Sequence, residues 1–198
     1  MSTWRFERRR RPWRFLTDGR YFFDTEKQKG QDRSTLDNAI NGRMRLEYDL
    51  FDSVFTFAGG TGEYDEVERL SFRGTPNAGL GYRLIDSERA LLKVGIGGGW
   101  VYERFFGGDE NDYVTAVFGF ESRYELPFGT TFRADTAYLP AVDDWTNEYL
   151  IRSSASISAP LVDRLSLELG LTNEYDNAPA EDTDRNEFRT MVTLGWEL

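Results

Sequence analysis

From Trp13 onward the chain alternates, residue by residue, between two kinds of side chain. Trp13, Phe15, Thr17, Gly19, Tyr21 and Phe23 interleave with Arg14, Leu16, Asp18, Arg20, Phe22 and Asp24. A period of two sends successive side chains to opposite faces of an extended strand, whereas a helix needs apolar residues three and four apart. The same dyad returns in Leu165, Leu167, Leu169 and Leu171 against Ser166, Glu168, Gly170, Thr172 and Glu174. It appears again in Val192, Leu194, Trp196 and Leu198. A large sheet with one apolar and one charged face must protect its edges and separate those faces, and closing on itself does both.

A length of 198 residues suits one all-β domain spanning 1–198. The chain has no cysteine and no histidine. That excludes a disulfide framework, zinc–thiolate sites and every catalytic pair that uses imidazole as its base. A net charge of -10 disfavours nucleic acid, whose phosphates need a basic surface. No run of 18 apolar residues offers a transmembrane helix. The mean hydropathy of -0.57 does not argue against membrane strands, because only alternate residues of such strands must be apolar. Met1 to Phe6 leads into Glu7 and four arginines without the apolar stretch of an export signal.

The alternation and the turn residues predict eleven strands, near 3–9, 12–26, 35–49, 53–66, 70–85, 90–106, 112–126, 130–141, 147–159, 163–176 and 186–198. Some connections are short: Arg10-Arg11, Phe51-Asp52-Ser53, Asp86 to Arg89, Phe128-Gly129 and Val162-Asp163. Others are longer and mostly acidic, such as Gly107 to Asn111, Val142 to Thr146 and Asp176 to Asn186. The two classes alternate strictly. In an up-and-down meander, all short turns then lie at one end and all long loops at the other, as in outer-membrane barrels.

The charged face carries Arg43, Arg45 and Glu47 in the third strand, Arg73 and Arg83 in the fifth, and Lys93 and Glu103 in the sixth. Later strands add Glu121, Arg123 and Glu125, then Arg133 and Asp135, and finally Arg152, Glu168 and Arg189. In a soluble lipocalin-like carrier this face would meet solvent and the apolar face would line a ligand cavity. In a membrane barrel the charged face fills the lumen. Tyr48, Tyr82, Tyr102, Tyr124, Tyr138 and Trp196 stand on the apolar face near strand ends, as interface girdles require. Gly42, Gly74, Ala78, Ala116, Ala134 and Ala155 occupy its middle, where they would fill a barrel interior poorly. Both features favour the membrane reading, with the charged set forming a lumen network. Glu121 and Glu125 beside Arg123 and Arg133 read as members of an ion-pair network, not as an acid/base pair.

Other motifs carry plainer readings. Arg8 to Arg11 with Trp4, Phe6 and Trp13 fits a charged hairpin better than a nucleic-acid contact. Gly59-Gly60-Thr61-Gly62 and Gly95-Ile96-Gly97-Gly98-Gly99 open no helix, so they read as strand glycines and not as phosphate loops. The acidic segments Asp109 to Asp112 and Glu181 to Asp184 match no EF-hand spacing and read as solvated loops. No metal, cofactor or catalytic residue is expected.

The segment Gly79-Leu80-Gly81-Tyr82-Arg83-Leu84-Ile85-Asp86, then Tyr138-Leu139-Pro140 with Asp143, Asp144 and Trp145, resembles the salt-induced outer membrane protein family, domain of unknown function 481. Ser158-Ala159-Pro160-Leu161-Val162-Asp163-Arg164-Leu165-Ser166-Leu167 and Tyr175-Asp176-Asn177-Ala178-Pro179 resemble it too, over residues 12–198 in all. The last strand, Thr193 to Leu198, is similar to the C-terminal insertion signal of outer-membrane barrels. The resemblance implies a monomeric barrel of the bacterial outer membrane without catalytic residues, serving the envelope under osmotic or salt stress. Its expected partners are outer-membrane lipid and lipopolysaccharide, and the barrel-assembly machinery during insertion. A small-solute pore is the rival reading. Because both termini of bacterial barrels lie in the periplasm, an odd count of eleven strands predicts a twelve-stranded parent with a first strand and an export signal ahead of this chain.

Overall fold

The computed structural model describes residues 2–10, 12–26, 34–66, 69–162, 165–179 and 184–196. The strands are β1 (Ser2–Arg10), β2 (Trp13–Glu26), β3 (Ser34–Asp49), β4 (Val54–Asp65), β5 (Leu70–Gly74), β6 (Asn77–Asp86), β7 (Ala90–Phe105), β8 (Glu110–Glu125), β9 (Thr131–Pro140), β10 (Tyr149–Val162), β11 (Leu165–Asp176) and β12 (Asn186–Trp196). Among the described residues one 3-10 turn, Pro127–Gly129, joins β8 to β9. The strands pair antiparallel in chain order from β1 at one edge to β12 at the other, except that β5 and β6 do not pair with each other and each lies between β4 and β7.

β5 and β6 together make one wall position, so the twelve strands correspond to the eleven expected from the sequence. On β4, Gly74 pairs with Gly62 and Asn77 with Gly59; on β7, Gly74 pairs with Tyr102 and Asn77 with Gly99. The register is unchanged across the break at Thr75-Pro76. The interruption arises because Pro76 has no N–H to give the ladder. Its carbonyl still accepts a 3.0 Å bond from Trp100 N, and Thr75 N donates to Thr61 O at 2.9 Å.

Two expected boundaries shift. The loop foreseen over Gly107 to Asn111 is tighter, since Gly107 and Gly108, at φ 141° and 95°, take the reversal and let β8 start at Glu110. The strand expected over 147–159 is displaced to Tyr149–Val162. The short turns at Phe51-Asp52-Ser53, Asp86 to Arg89 and Phe128-Gly129 fall where expected, whereas Arg11 and Asp163, of the other two, lie outside the described residues. Ser87 N meets Ala90 O at 2.9 Å, and Leu126 N meets Thr130 O at 2.7 Å.

The two faces differ as the dyad requires. Ile96, Val114 and Leu194 point outward and are 58%, 62% and 65% exposed, whereas Lys93 and Glu47 point inward and are 2% and 0% exposed. This orientation is opposite to that of a carrier with an apolar cavity. Ion pairs between strands far apart in the sheet, such as Arg43 of β3 with Asp135 of β9 and Arg189 of β12 with Asp65 of β4, show that the sheet is rolled around its charged face.

Candidate functional site

In the half of the interior near the short turns, charge converges on one carboxylate. Glu47 accepts a 2.9 Å hydrogen bond from Lys93 Nζ, and the same oxygen lies 3.1 Å from Arg45 Nε. Its other oxygen stands 3.7 Å from Arg14 and 3.9 Å from Arg83, beyond hydrogen-bond reach. Taking such a carboxylate out of water costs several kcal/mol, and surrounding cations are what offset that cost. The cations are themselves balanced: Arg14 donates to Glu7 at 2.8 Å, Arg83 pairs with Asp49 at 2.5 Å, and Lys93 with Glu121 at 2.7 Å. Phe55 and Phe57, aromatic exceptions on the inward face, pack beneath them. Arg83 and Lys93 lie 4.6 and 5.5 Å from the Phe55 ring centroid, and Arg45 lies 4.3 Å from that of Phe57. Glycine makes room for the rings: a Cβ at Gly81 would fall 2.1 Å from Phe55.

A second belt crosses the interior near the long loops. Arg73 reaches Glu103 at 2.5 Å, Asp176 at 2.8 Å and Glu174, so one guanidinium joins β5 to β7 and to β11. Arg152 on β10 donates to Glu174 at 3.0 Å, to Thr61 Oγ1 at 2.8 Å and to Glu63. Arg189 on β12 reaches Asp65 on β4 at 2.6 Å. Planar guanidinium groups suit this role, because each can bind several carboxylates in a fixed geometry.

Between the two belts lies a cavity of about 230 Å³, into which Arg43 projects, paired with Asp18 at 2.9 Å and Asp135 at 3.5 Å. Gly95 and Gly119 contribute no side chain to its wall. The cavity carries both signs of charge and hydroxyls beside apolar groups such as Phe57, Val117 and Leu139, so its lining is mixed in polarity.

All the residues assigned from the sequence to the charged face share the inward parity, but their partners differ from those expected. Glu121 meets Lys93 and not Arg123 or Arg133, because the β7–β8 register sets Lys93 directly opposite Glu121. Arg123 lies 3.9 Å from Glu125, whose other oxygen accepts from Thr131 at 3.0 Å, and Arg133 stands opposite Arg123 across the ladder. Glu168 faces inward, half-buried, on β11. Arg14, Glu63, Asp65, Glu174 and Asp176 also belong to the belts; the dyad already set Arg14 and Glu174 opposite the apolar face, but none of the five was assigned to the lumen network from the sequence. Four of these five lie within three residues of a strand end at the long loops. Continuing the dyad from Thr61 to Glu63 and Asp65, and from Glu168 to Glu174 and Asp176, places them on the inward face.

The outward aromatics form a chain around the loop end. Phe118 stacks on Tyr138 with centroids 6.0 Å apart, Tyr138 meets Tyr149 at 5.7 Å, and Tyr149 stacks on Tyr175 at 5.8 Å. Tyr102 continues it between Phe72 and Trp100. Near the short turns Tyr48 packs on Trp13 at 4.7 Å, and Tyr82 and Tyr124 are about half exposed. The Trp196 side chain, Arg11, the side chains of Arg9 and Arg10, and Glu181 to Thr183 lie outside the described residues.

No curated protein matches the chain. Its fold is similar to that of the NanC porin solved in a rhombohedral crystal form, with a TM-score of 0.56 at 10% identity, covering 99% of this chain and 97% of that one. Residues 2–197 match the family described as "Protein of unknown function, DUF481", and the chain therefore belongs to that family.

Proposed function

We propose that this chain is a bacterial outer-membrane β-barrel, a non-catalytic envelope component whose lumen is held rigid by ion pairs. The observation that carries the reading is the inversion of its faces. Large apolar side chains such as Ile96, Val114 and Leu194 are exposed on the outer wall, while Glu47, Lys93 and Glu103 are buried inside. In water that arrangement is unfavourable on both counts; in a bilayer the outer wall meets acyl chains. The aromatic chain from Phe118 to Tyr175 fits one interface of the hydrocarbon layer. The porin-like fold supports the same location.

A non-catalytic role is supported by the pairing of the interior. The carboxylates of the two belts contact arginine or lysine, the pattern of an ion-pair network and not of a nucleophile beside its base. Its surroundings would be outer-membrane lipid and lipopolysaccharide on the apolar band, with assembly machinery engaged during insertion, and the working form a monomer. Service under osmotic or salt stress rests on the family resemblance. It would be tested by comparing growth of a deletion strain in raised NaCl with growth in sucrose of equal osmolarity.

The first experiment is refolding. The chain should acquire β-structure only with detergent or lipid vesicles, and its gel mobility should shift on heating. A monodisperse, β-rich monomer in plain buffer would overturn the membrane reading.

A further inference from the structure

The interior is filled unevenly. On the wall from β3 to β8 the inward residues Glu47, Phe55, Lys93 and Val101 are each at most 2% exposed, set among inward glycines such as Gly81, Gly95 and Gly119. On β10 the inward positions after Leu150 and Arg152 are Ser154, Ser156 and Ser158, and on β11 Ser166, Gly170 and Thr172 flank Glu168 below Glu174 and Asp176. The serines and the threonine are only half-buried although they point into the rolled sheet. Strand spacing is the same on both sides, so short side chains leave volume that long ones would occupy.

We propose that a hydrated path for small polar solutes runs along the β10–β11 wall and is shut at the loop end by Arg152 and Arg189. The proposal rests on the membrane-barrel reading and adds a route through the barrel. The central cavity reaches Ser154 and Thr172, and Arg152 and Arg189 are part of its lining. From there the hydroxyl series continues through Ser156 and Ser158 toward the short turns, passing the Phe55 and Glu47 cluster on the opposite wall. At the loop end Arg152 reaches across to Thr61 and Thr75 at 2.8 and 3.2 Å, and Arg189 crosses to Asp65. These two side chains lie over the end of the serine series, where a solute from the loop side would enter.

The chemistry of the lining selects the solute. Ser154 donates to Asp135 at 2.7 Å, Arg43 stands beside that same carboxylate, and Arg133 and Glu168 flank the series further on. Alternating signs with hydroxyls between them suit neutral or zwitterionic polar molecules. A solute with net charge of either sign would meet a like charge along the way.

The absence of native cysteine makes the path testable without disturbing the belts. Ser156→Cys, Thr172→Cys and Val101→Cys, each refolded into lipid vesicles, would be treated with a charged, membrane-impermeant methanethiosulfonate. Because thiol reaction follows access, the first two should react about 100-fold faster than the third. Planar-bilayer recording then tests the closure. The R152Q/R189Q double variant should conduct about tenfold more than the parent chain, and adding Ser156→Trp should return it to the parent level. The proposal is overturned if Ser156→Cys reacts as slowly as Val101→Cys, or if a heat-modifiable double variant conducts no more than the parent. Loss of heat-modifiable mobility in the parent chain itself would instead remove the membrane reading.

Discussion

The wall from β3 to β8 and the wall from β9 to β12 line the same interior and fill it by different physics. The first encloses charge against charge and ring: Glu47 with Lys93, Arg45 and Arg83, joined by Arg14 from β2, over Phe55 and Phe57. The second carries Ser154, Ser156 and Ser158 with Ser166, Gly170 and Thr172 among its charged residues, and sends Arg152 and Arg189 across to the first. Rigidity is therefore concentrated on one side and hydrated space on the other. A rolled sheet does not need a uniform core; its backbone ladder holds the wall, and the interior can be divided between packing and water.

The largest difference should appear on deleting one carboxylate from each wall. Glu47→Ala leaves several buried cations facing one another and should destabilise the refolded barrel by about 3–5 kcal/mol. Glu168→Ala, at a half-buried inward position of the other wall, should stay within about 0.5 kcal/mol. Urea titrations in detergent, followed by tryptophan fluorescence, measure both. Equal losses would mean that the two walls are packed alike.

Next in size is the space reserved for Phe55. Gly81→Ala places a methyl group into that ring, and overpacking of this kind costs about 1–3 kcal/mol. Ser156→Ala on the hydroxyl wall should leave the unfolding midpoint unchanged, since space there is not contested. If Gly81→Ala is silent as well, the Phe55 cluster is not the rigid element.

Much of this contrast is visible in the sequence, and the remainder is hidden for a definable reason. The dyad identifies strands, faces and the end to which each turn belongs, because side-chain direction in a strand depends only on parity. It identifies Arg73, Arg152 and Arg189 as inward. It does not say that Arg73 meets Glu174 or that Arg189 meets Asp65, since those contacts depend on how far the sheet curls and which strands it brings opposite each other. The Glu121–Lys93 pair fails to show for a smaller reason, a register between β7 and β8 that no short motif encodes. The serine series on β10 is plain in the sequence, but its meaning appears only beside the crowded wall it faces.

The outer surface offers finer tests. Tyr138 touches Phe118 and Tyr149, so Tyr138→Ala should remove about 0.5–1.5 kcal/mol of ring contact. The effect should be larger in vesicles than in detergent if this aromatic chain marks a bilayer interface, and equal in both if it serves the fold alone.

The smallest effect should carry the opposite sign. Gly42, on the outward face of β3 opposite Gly19 and Gly62, has open space where a Cβ would stand. Gly42→Ala meets no neighbour and reduces the freedom of the unfolded chain, which should stabilise the barrel by about 0.4–1 kcal/mol. The added methyl group would also face acyl chains. The same change at Gly81 destabilises because its Cβ points at Phe55. Two glycines with identical chemistry thus report on opposite faces, and finding the same sign at both would show that the inner and outer walls have been confused.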